Sequence, residues 1–205
     1  MKIALIGASS TGKSTLSKLL AKELRLPLIR EQARVVLAEM GKTLPELRAV
    51  TEDIIRFQYA VLQAQIDSET ECADSGFVSD RSIFDNLVLF LRHCEVSDHH
   101  IRSYEEIVLT HYKNLPYDLL IFLRPGEFPV EDDGVRTPNP YYQSQVDGMI
   151  LTILKLFSVP TVEVTGDPLQ RVRNTKAHIE KHFPGWLESR GIEFDRSAAR
   201  FSGIE

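Results

Sequence analysis

The stretch from Lys2 to Thr15, Lys-Ile-Ala-Leu-Ile-Gly-Ala-Ser-Ser-Thr-Gly-Lys-Ser-Thr, leaves the chain few folds to choose from. Lys2 to Ile6 reads as a short buried strand, and Leu16, Leu19, Leu20 and Leu24 recur at helical spacing. A Gly-x-x-x-x-Gly-Lys-Ser pattern therefore sits between strand and helix, the context a phosphate-binding loop requires. Gly7 and Gly12 permit the tight turn, and the amides of Ser10, Thr11, Gly12, Lys13 and Ser14 can converge on phosphate oxygens at a helix N-terminus. Lys13 can bridge the outer phosphates, and the Ser14 hydroxyl is the expected magnesium ligand. Thr15 completes the nucleotide-contacting set.

Further strands follow in alternation with helices. Leu26 to Glu31 reads as a second strand delivering Arg30 and Glu31, before a helix over Ala33 to Met40 that Gly41 stops. Thr51 to Glu71 predicts a long helix, capped by Thr51 and presenting Ile55, Tyr59, Leu62 and Ile66 on one face. Phe77 to Ser82 reads as a third strand ending in Asp80 and Arg81, followed by helices from Ile83 to His93 and Asp98 to Tyr112. Asp118 to Leu123 has the continuous apolar character of a central parallel strand. Between Arg124 and Pro140 four prolines, two glycines and Glu131-Asp132-Asp133 mark a mobile lid with Arg124 and Arg136 at its ends. A helix around Val146 to Phe157, a strand over Pro160 to Thr165 and a helix opening at Gly166-Asp-Pro complete the pattern.

The expected fold is α/β, a P-loop NTPase or kinase fold with a five-stranded parallel sheet and helices on both faces. Residues 1–182 form the expected kinase-like domain, and 183–205 a C-terminal extension of it; 205 residues suit one domain. The net charge of −5 argues against broad coating of nucleic acid, and no apolar stretch reaches membrane-spanning length. A cytoplasmic location is the default expectation, and an oligomer finds no support in the sequence. Cys72 and Cys94 lack metal-ligand spacing and read as reduced thiols, while the six histidines give no metal pattern and read as solvated.

Ser14, Glu31, Asp80, Arg81 and Arg124 each follow a predicted strand, so one crevice at the sheet's carboxyl edge can collect them. Phosphoryl transfer needs charge neutralised on the moving group, magnesium held and the attacking oxygen oriented. Lys13, Arg81, Arg124 and Arg136 are candidates for the first task, and Ser14 and Asp80 for the second. Asp80 is alternatively a base, or simply the N-cap of the Ile83 helix. Glu31 is a candidate proton acceptor for a substrate hydroxyl or a surface residue at a helix start, and Arg34 meets either Glu31 or substrate.

The pattern resembles the P-loop nucleoside kinase-like families, most closely the ribosylnicotinamide kinase domain of the bifunctional bacterial regulator of NAD synthesis and its AAA-type ATPase relatives. The likeness rests on the phosphate loop, Arg30-Glu31-Gln32-Ala33-Arg34, Ser79-Asp80-Arg81, and Asp118-Leu-Leu-Ile-Phe-Leu leading to Asp132-Asp133-Gly134-Val135-Arg136. It implies ATP as donor, a small hydroxyl-bearing acceptor and Arg136 as a lid arginine. That family carries its kinase beside an adenylyltransferase, and this sequence shows none, so a standalone kinase is expected. Phe57-Gln58-Tyr59 and Asp80-Arg81-Ser82 look like the Phe-Gln and Glu-Arg-Ser stretches of deoxynucleoside kinases, where the amide reads the base, which makes Gln58 a candidate substrate contact. Here Asp replaces Glu before Arg-Ser, and Gln rather than Pro follows Glu31.

The resulting expectation is ATP- and Mg2+-dependent phosphoryl transfer to a nucleoside-like acceptor, with nicotinamide riboside as one candidate and the adenine near Gly166-Asp167. Glu31, Arg34, Gln58, Asp80 and Arg81 would meet the acceptor. A nucleoside monophosphate kinase and a slow NTPase switch that recruits a partner are the alternatives. The base-reading Asn-Lys-x-Asp of GTPases is absent, which favours ATP.

Overall fold

A computed structural model describes residues 1–94, 97–129 and 139–194 of the chain. The described residues form a sheet of five strands: β1 (Lys2–Ile6), β2 (Leu28–Ile29), β3 (Phe77–Ser79), β4 (Leu119–Phe122) and β5 (Val162–Glu163). The described helices are α1 (Lys13–Leu24), α2 (Gln32–Met40), α3 (Leu44–Arg48), α4 (Thr51–Glu71), α5 (Ile83–His93), α6 (Asp98–Asn114), α7 (Pro140–Leu156), α8 (Pro168–His182) and α9 (Trp186–Ser189). The sheet is parallel throughout, in the order β2-β3-β1-β4-β5.

Strand β1 lies at its centre because it is apolar on both faces. Ile3 and Leu5 pack with α1 and α8, while Ala4 and Ile6 face α4, α5 and α7. The same alternation splits β4, whose Leu119 and Ile121 point to one helical layer and Leu120 and Phe122 to the other. Helices on both faces thus follow from apolar runs that no single layer can cover. The chain turns to opposite sides of β1 on reaching β3 and β4, so the carboxyl end of β1 opens at a switch point where the phosphate loop emerges.

Several boundaries are set by identifiable residues. Gly41 closes α2 with φ 62°, as expected, and Asp167 caps α8 through the amides of Leu169 and Gln170. Helix α3 was not anticipated, although Thr43 and Glu46 form a capping box around Pro45. Thr51 does not cap α4: it is the first helical residue, and Val50 precedes it without a side-chain cap. Nor does Asp80 cap α5. Ser82 does so, accepting from the Asp85 amide while the Asp85 carboxylate accepts from the Ser82 amide. Helix α8 is not the last element either, since α9 packs against it and buries Leu187 beside Trp186. Arg136, the Asp132-to-Arg136 motif and residues 195–205 lie outside the described residues.

Cys72 and Cys94 are unpaired, and no described helix is long and apolar enough to cross a membrane. Ile121→Ala, which truncates a fully buried side chain between β1 and β5, is expected to cost about 2–5 kcal/mol in urea denaturation with an unchanged m-value.

Candidate active site

The loop after β1 takes its shape from contacts on every side. Gly7 approaches β4's end so closely that a Cβ there would lie 2.4 Å from the Leu123 carbonyl oxygen. Ser10 has φ 57° and Gly12 φ 88°, left-handed conformations that only the glycine adopts without strain. Three loop carbonyls accept from side-chain donors. The Lys13 ammonium and the Thr11 hydroxyl bind the Ala8 oxygen, Gln143 of α7 donates to Ser9 O at 2.7 Å, and Arg171 of α8 donates to Thr11 O at 2.6 Å. Helix α1 begins at Gly12 with no side-chain cap and no acid in its first turn, so its leading amides are suited to an anion.

Beside the loop lies a buried cluster of charges. Arg81, with a side chain 7% exposed, donates from Nε to Glu31 Oε1 at 2.8 Å and from Nη1 to Asp85 Oδ1 at 3.1 Å. Glu31 also accepts from Arg34 Nε at 3.1 Å through its other oxygen. Asp85 is 1% exposed and makes a long contact from its Oδ1 to the Gly7 amide at 3.5 Å. Burial opposes the charge on Arg81, but Glu31, Asp85 and Asp80 outweigh it and hold the guanidinium above its ordinary pKa. Lys13 shows the opposite balance. Burial, reinforced by Arg81, pushes it down to about 7 against the pull of Asp85, Asp80 and Glu31.

The Ser14 hydroxyl lies near enough to Asp80 to favour its charged form, while Asp80 Oδ1 is buried with no partner. Burial raises its pKa above the ordinary carboxylate value, with Ser14, Arg81 and Lys13 opposing. A hydroxyl beside a carboxylate with one oxygen unsatisfied, at the mouth of a phosphate loop, fits a magnesium ion completed by phosphate oxygens and water. Ser14 and Asp80 are therefore placed together as the sequence requires.

Other expectations divide. Glu31, Arg34, Asp80 and Arg81 come together, and Gln58 lines a cleft with Arg34 and Arg81. Arg124 does not join them: its guanidinium forms a two-pronged pair with Asp147 at 2.8 and 3.0 Å, reaches Glu163 at 3.5 Å and lies over Phe122. A planar fork matched to a carboxylate on α7 explains that placement, which corrects the reading of Arg124 as a phosphate contact. The histidines are not uniformly solvated. His111 binds Glu69 at 2.9 Å within the core, and His93 lines the cleft beside Tyr142.

The sequence reading missed four contributors. Asp85 carried a signal, the Ser82-x-x-Asp85 capping pattern. Asn86, Gln143 and Arg171 carried none, because each is a polar residue within a helix until its tertiary partner is known. Arg171 is 1% exposed, stacks on Phe128, and pairs with Glu127, which also accepts from the Gly166 amide at 2.7 Å.

With this geometry established, the match to known proteins is informative. The AAA domain family matches residues 2–171. The chain belongs to that family. No curated protein matches it. Among solved structures, NadR protein in complex with NR aligns with TM-score 0.70 at 14% identity, covering 95% of this chain and 52% of that one. NadR protein in complex with NAD and AMP-PNP aligns with TM-score 0.68 at 16% identity, covering 95% and 50%. The chain thus spans about half the length of the NadR chains. Deoxyadenosine kinase from M. mycoides with bound dCTP aligns with TM-score 0.63 at 16% identity, covering 88% of this chain and all of that one. The fold is accordingly that of P-loop nucleoside kinases.

Anion binding in the loop must reverse the burial effect on Lys13. Binding of MgATP at pH 8 is expected to take up about one proton, because a neighbouring phosphate returns the amine toward its ordinary value. Calorimetry in two buffers of different ionisation enthalpy measures the uptake. No uptake would show that Lys13 is already charged in the free loop or does not meet the phosphates.

Proposed function

We propose that the protein is an ATP- and magnesium-dependent kinase that transfers the γ-phosphoryl group to a hydroxyl of a nucleoside-like small molecule. The observation that carries this reading is that Arg81, paired with Glu31 and close to Lys13 and Asp80, lines a cleft beside the phosphate loop that also reaches Gln58 and Asn86. A simple hydrolase has no need of an amide-lined compartment beside its phosphate loop.

In this reading the loop from Gly7 to Thr15 holds the phosphates through its amides and Lys13. Arg171, fixed between Thr11 and Glu127, forms the wall on the side of Gly166-Asp167, where the adenine is assigned. Ser14 and Asp80 would hold Mg2+, which when bound neutralises phosphate charge and aligns the terminal group. The acceptor hydroxyl lies against Glu31. As its oxygen forms a bond to the γ-phosphorus, the bond to the bridging β,γ-oxygen breaks, ADP departs and the hydroxyl proton passes to Glu31. Arg81, aligned by Glu31 and Asp85, offers a fixed positive charge to the transferring group and needs no rearrangement to do so.

Arg34 and Arg48 at the cleft support a second reading, a monophosphate as acceptor, which the same assay separates. ADP release is measured with MgATP alone and with nucleosides, nicotinamide riboside and monophosphates, and products are identified by mass. Acceptor-dependent release with a matching product is expected. Release unchanged by every acceptor would instead indicate an NTPase switch.

Two substitutions distinguish the roles. Lys13→Ala is expected to lower turnover by about 10²-fold or more through the lost phosphate contact. Glu31→Gln is expected to leave ATP affinity within about twofold and to lower transfer about 10²-fold at saturating acceptor. Full transfer by Glu31→Gln would remove Glu31 as the proton acceptor.

A further inference from the structure

Behind the turn that carries Asp80 and Arg81 lies a polar network centred on Glu69 of α4, a fully buried carboxylate. Its Oε1 accepts from Gln65 Nε2 at 2.7 Å and from the Tyr117 hydroxyl at 2.8 Å, and its Oε2 meets His111 Nε2 of α6 at 2.9 Å. Gln65, 1% exposed, also donates to Ser79 Oγ at 2.8 Å and to the Arg81 carbonyl at 3.3 Å. Ser79 Oγ donates to that same carbonyl at 2.6 Å. On the other branch the Ile83 amide donates to the Tyr117 oxygen at 3.0 Å. One carboxylate is thereby linked through two side chains to backbone groups on either side of Ser82.

The direction of these bonds is fixed by the carboxylate. A Gln65 amide that donates to Glu69 must point its nitrogen inward, and that nitrogen then serves Ser79 and Arg81 as a donor too. Likewise the Tyr117 hydroxyl spends its hydrogen on Glu69 and keeps its oxygen for the Ile83 amide. Asp80 stands between Ser79 and Arg81, the residues this network ties together, and its own amide donates to Ile29 O at 2.9 Å. Gln65, Glu69 and Tyr117 are not among the described residues that line the cleft. Burying a carboxylate and an amide gains little over apolar packing of the same volume. What a fully partnered polar network adds is a unique geometry for the turn it holds.

We propose that Gln65, oriented by Glu69 and seconded by Tyr117, is a positioning residue that fixes residues 79–83, so that the Asp80 carboxylate and the Arg81 guanidinium keep the places which a magnesium nucleotide and its transferring phosphoryl group require. The inference rests on the kinase reading above and adds to it residues that act through the backbone without touching a substrate. A small displacement of a catalytic group costs rate far more than it costs ground-state binding. The loss therefore falls on turnover and on the metal-dependent part of ATP binding, and spares the affinity of the phosphate loop for ATP alone.

Two variants of the full chain test this. Gln65→Leu removes the donor at similar volume, and Tyr117→Phe removes one hydroxyl. Calorimetry measures ATP binding in EDTA and in MgCl2, and the ratio of the two affinities is the metal increment. Metal-free ATP affinity is expected to stay within about twofold of the unsubstituted chain, while the increment falls about fivefold to tenfold, the scale of one misplaced buried contact. Rates are measured with adenosine, cytidine and nicotinamide riboside as acceptors. For whichever yields product, kcat is expected to fall about tenfold while the acceptor KM stays within about threefold. Near-UV circular dichroism reports the fold of each variant. Should Gln65→Leu fail to fold, Tyr117→Phe reads the other branch.

In folded variants an unchanged increment, or an unchanged kcat where product forms, overturns the inference and leaves the network as packing alone. Equal ATP affinity with and without magnesium in the unsubstituted chain overturns the metal assignment and the inference with it. Product from none of the acceptors overturns the kinase reading instead, and a lowered increment in the variants then still upholds the positioning role.

Discussion

The buried guanidinium of Arg81 is the constraint around which the strand ends are arranged. A charge removed from water at this depth persists only if its partners are close and its donors are met. Glu31, following β2, and Asp85, in the first turn of α5, supply those partners. Asp85 also completes the Ser82 cap and reaches toward Gly7, so one carboxylate joins the start of α5, the end of β3 and the phosphate loop. The backbone beneath Arg81 is held as firmly. Its carbonyl accepts from Ser79 at 2.6 Å and from Gln65 at 3.3 Å, and Gln65 is oriented by Glu69, itself bound by Tyr117 and His111. The guanidinium is thus fixed at its head and at its root.

Electrostatically the site is a balanced set of charges waiting for more anion. Lys13 and Arg81 repel one another, and the shift on Lys13 records that repulsion on top of burial. Three carboxylates compensate, but Glu31 and Asp85 are committed to Arg81, leaving Asp80 with an unmatched oxygen. A triphosphate with its cation would satisfy both residues at once, the phosphates at Lys13 and the metal at Asp80. Neither ligand alone would do so, and on the kinase reading that is why the two are expected together.

Much of this was legible in the sequence, and the exceptions share a cause. Strands β1 and β4 announced themselves as apolar runs, and the loop motif lay between a strand and a helix as required. Glu31, Asp80 and Arg81 were found because strand ends in a parallel sheet share one edge. Hydropathy failed where burial is polar. The face of α4 was assigned to Ile55, Tyr59, Leu62 and Ile66, yet of these only Leu62 is fully buried; the buried stripe runs through Ile54, Phe57 and Val61 and through Gln58, Gln65 and Glu69, polar residues that only their partners make tolerable. Arg171 and Arg124 are the same residue type with different contacts: one is enclosed against the loop, the other drawn to Asp147. Charged residues take their place from three-dimensional partners, and a single sequence does not show those pairings.

The phosphate loop itself illustrates how far a motif reaches. Its glycines permit the turn, but Gly7 is held by Leu123 at the end of β4, the Ser9 carbonyl by Gln143 on α7, and the Thr11 carbonyl by Arg171 on α8. Those elements lie more than a hundred residues along the chain. The helix carrying Gln143 also carries Tyr142 into the cleft beside the loop, and Phe128, which lies under Arg171, belongs to the segment after β4 whose Glu127 accepts from the Gly166 amide. The contacts that shape the loop are therefore made by the walls of its two flanking compartments. A ligand that moves either wall must act on the loop carbonyls, and through them on the amides facing the phosphates. On the kinase reading those walls border the donor and acceptor sites, and the loop carbonyls are where the occupancy of one would be felt at the other.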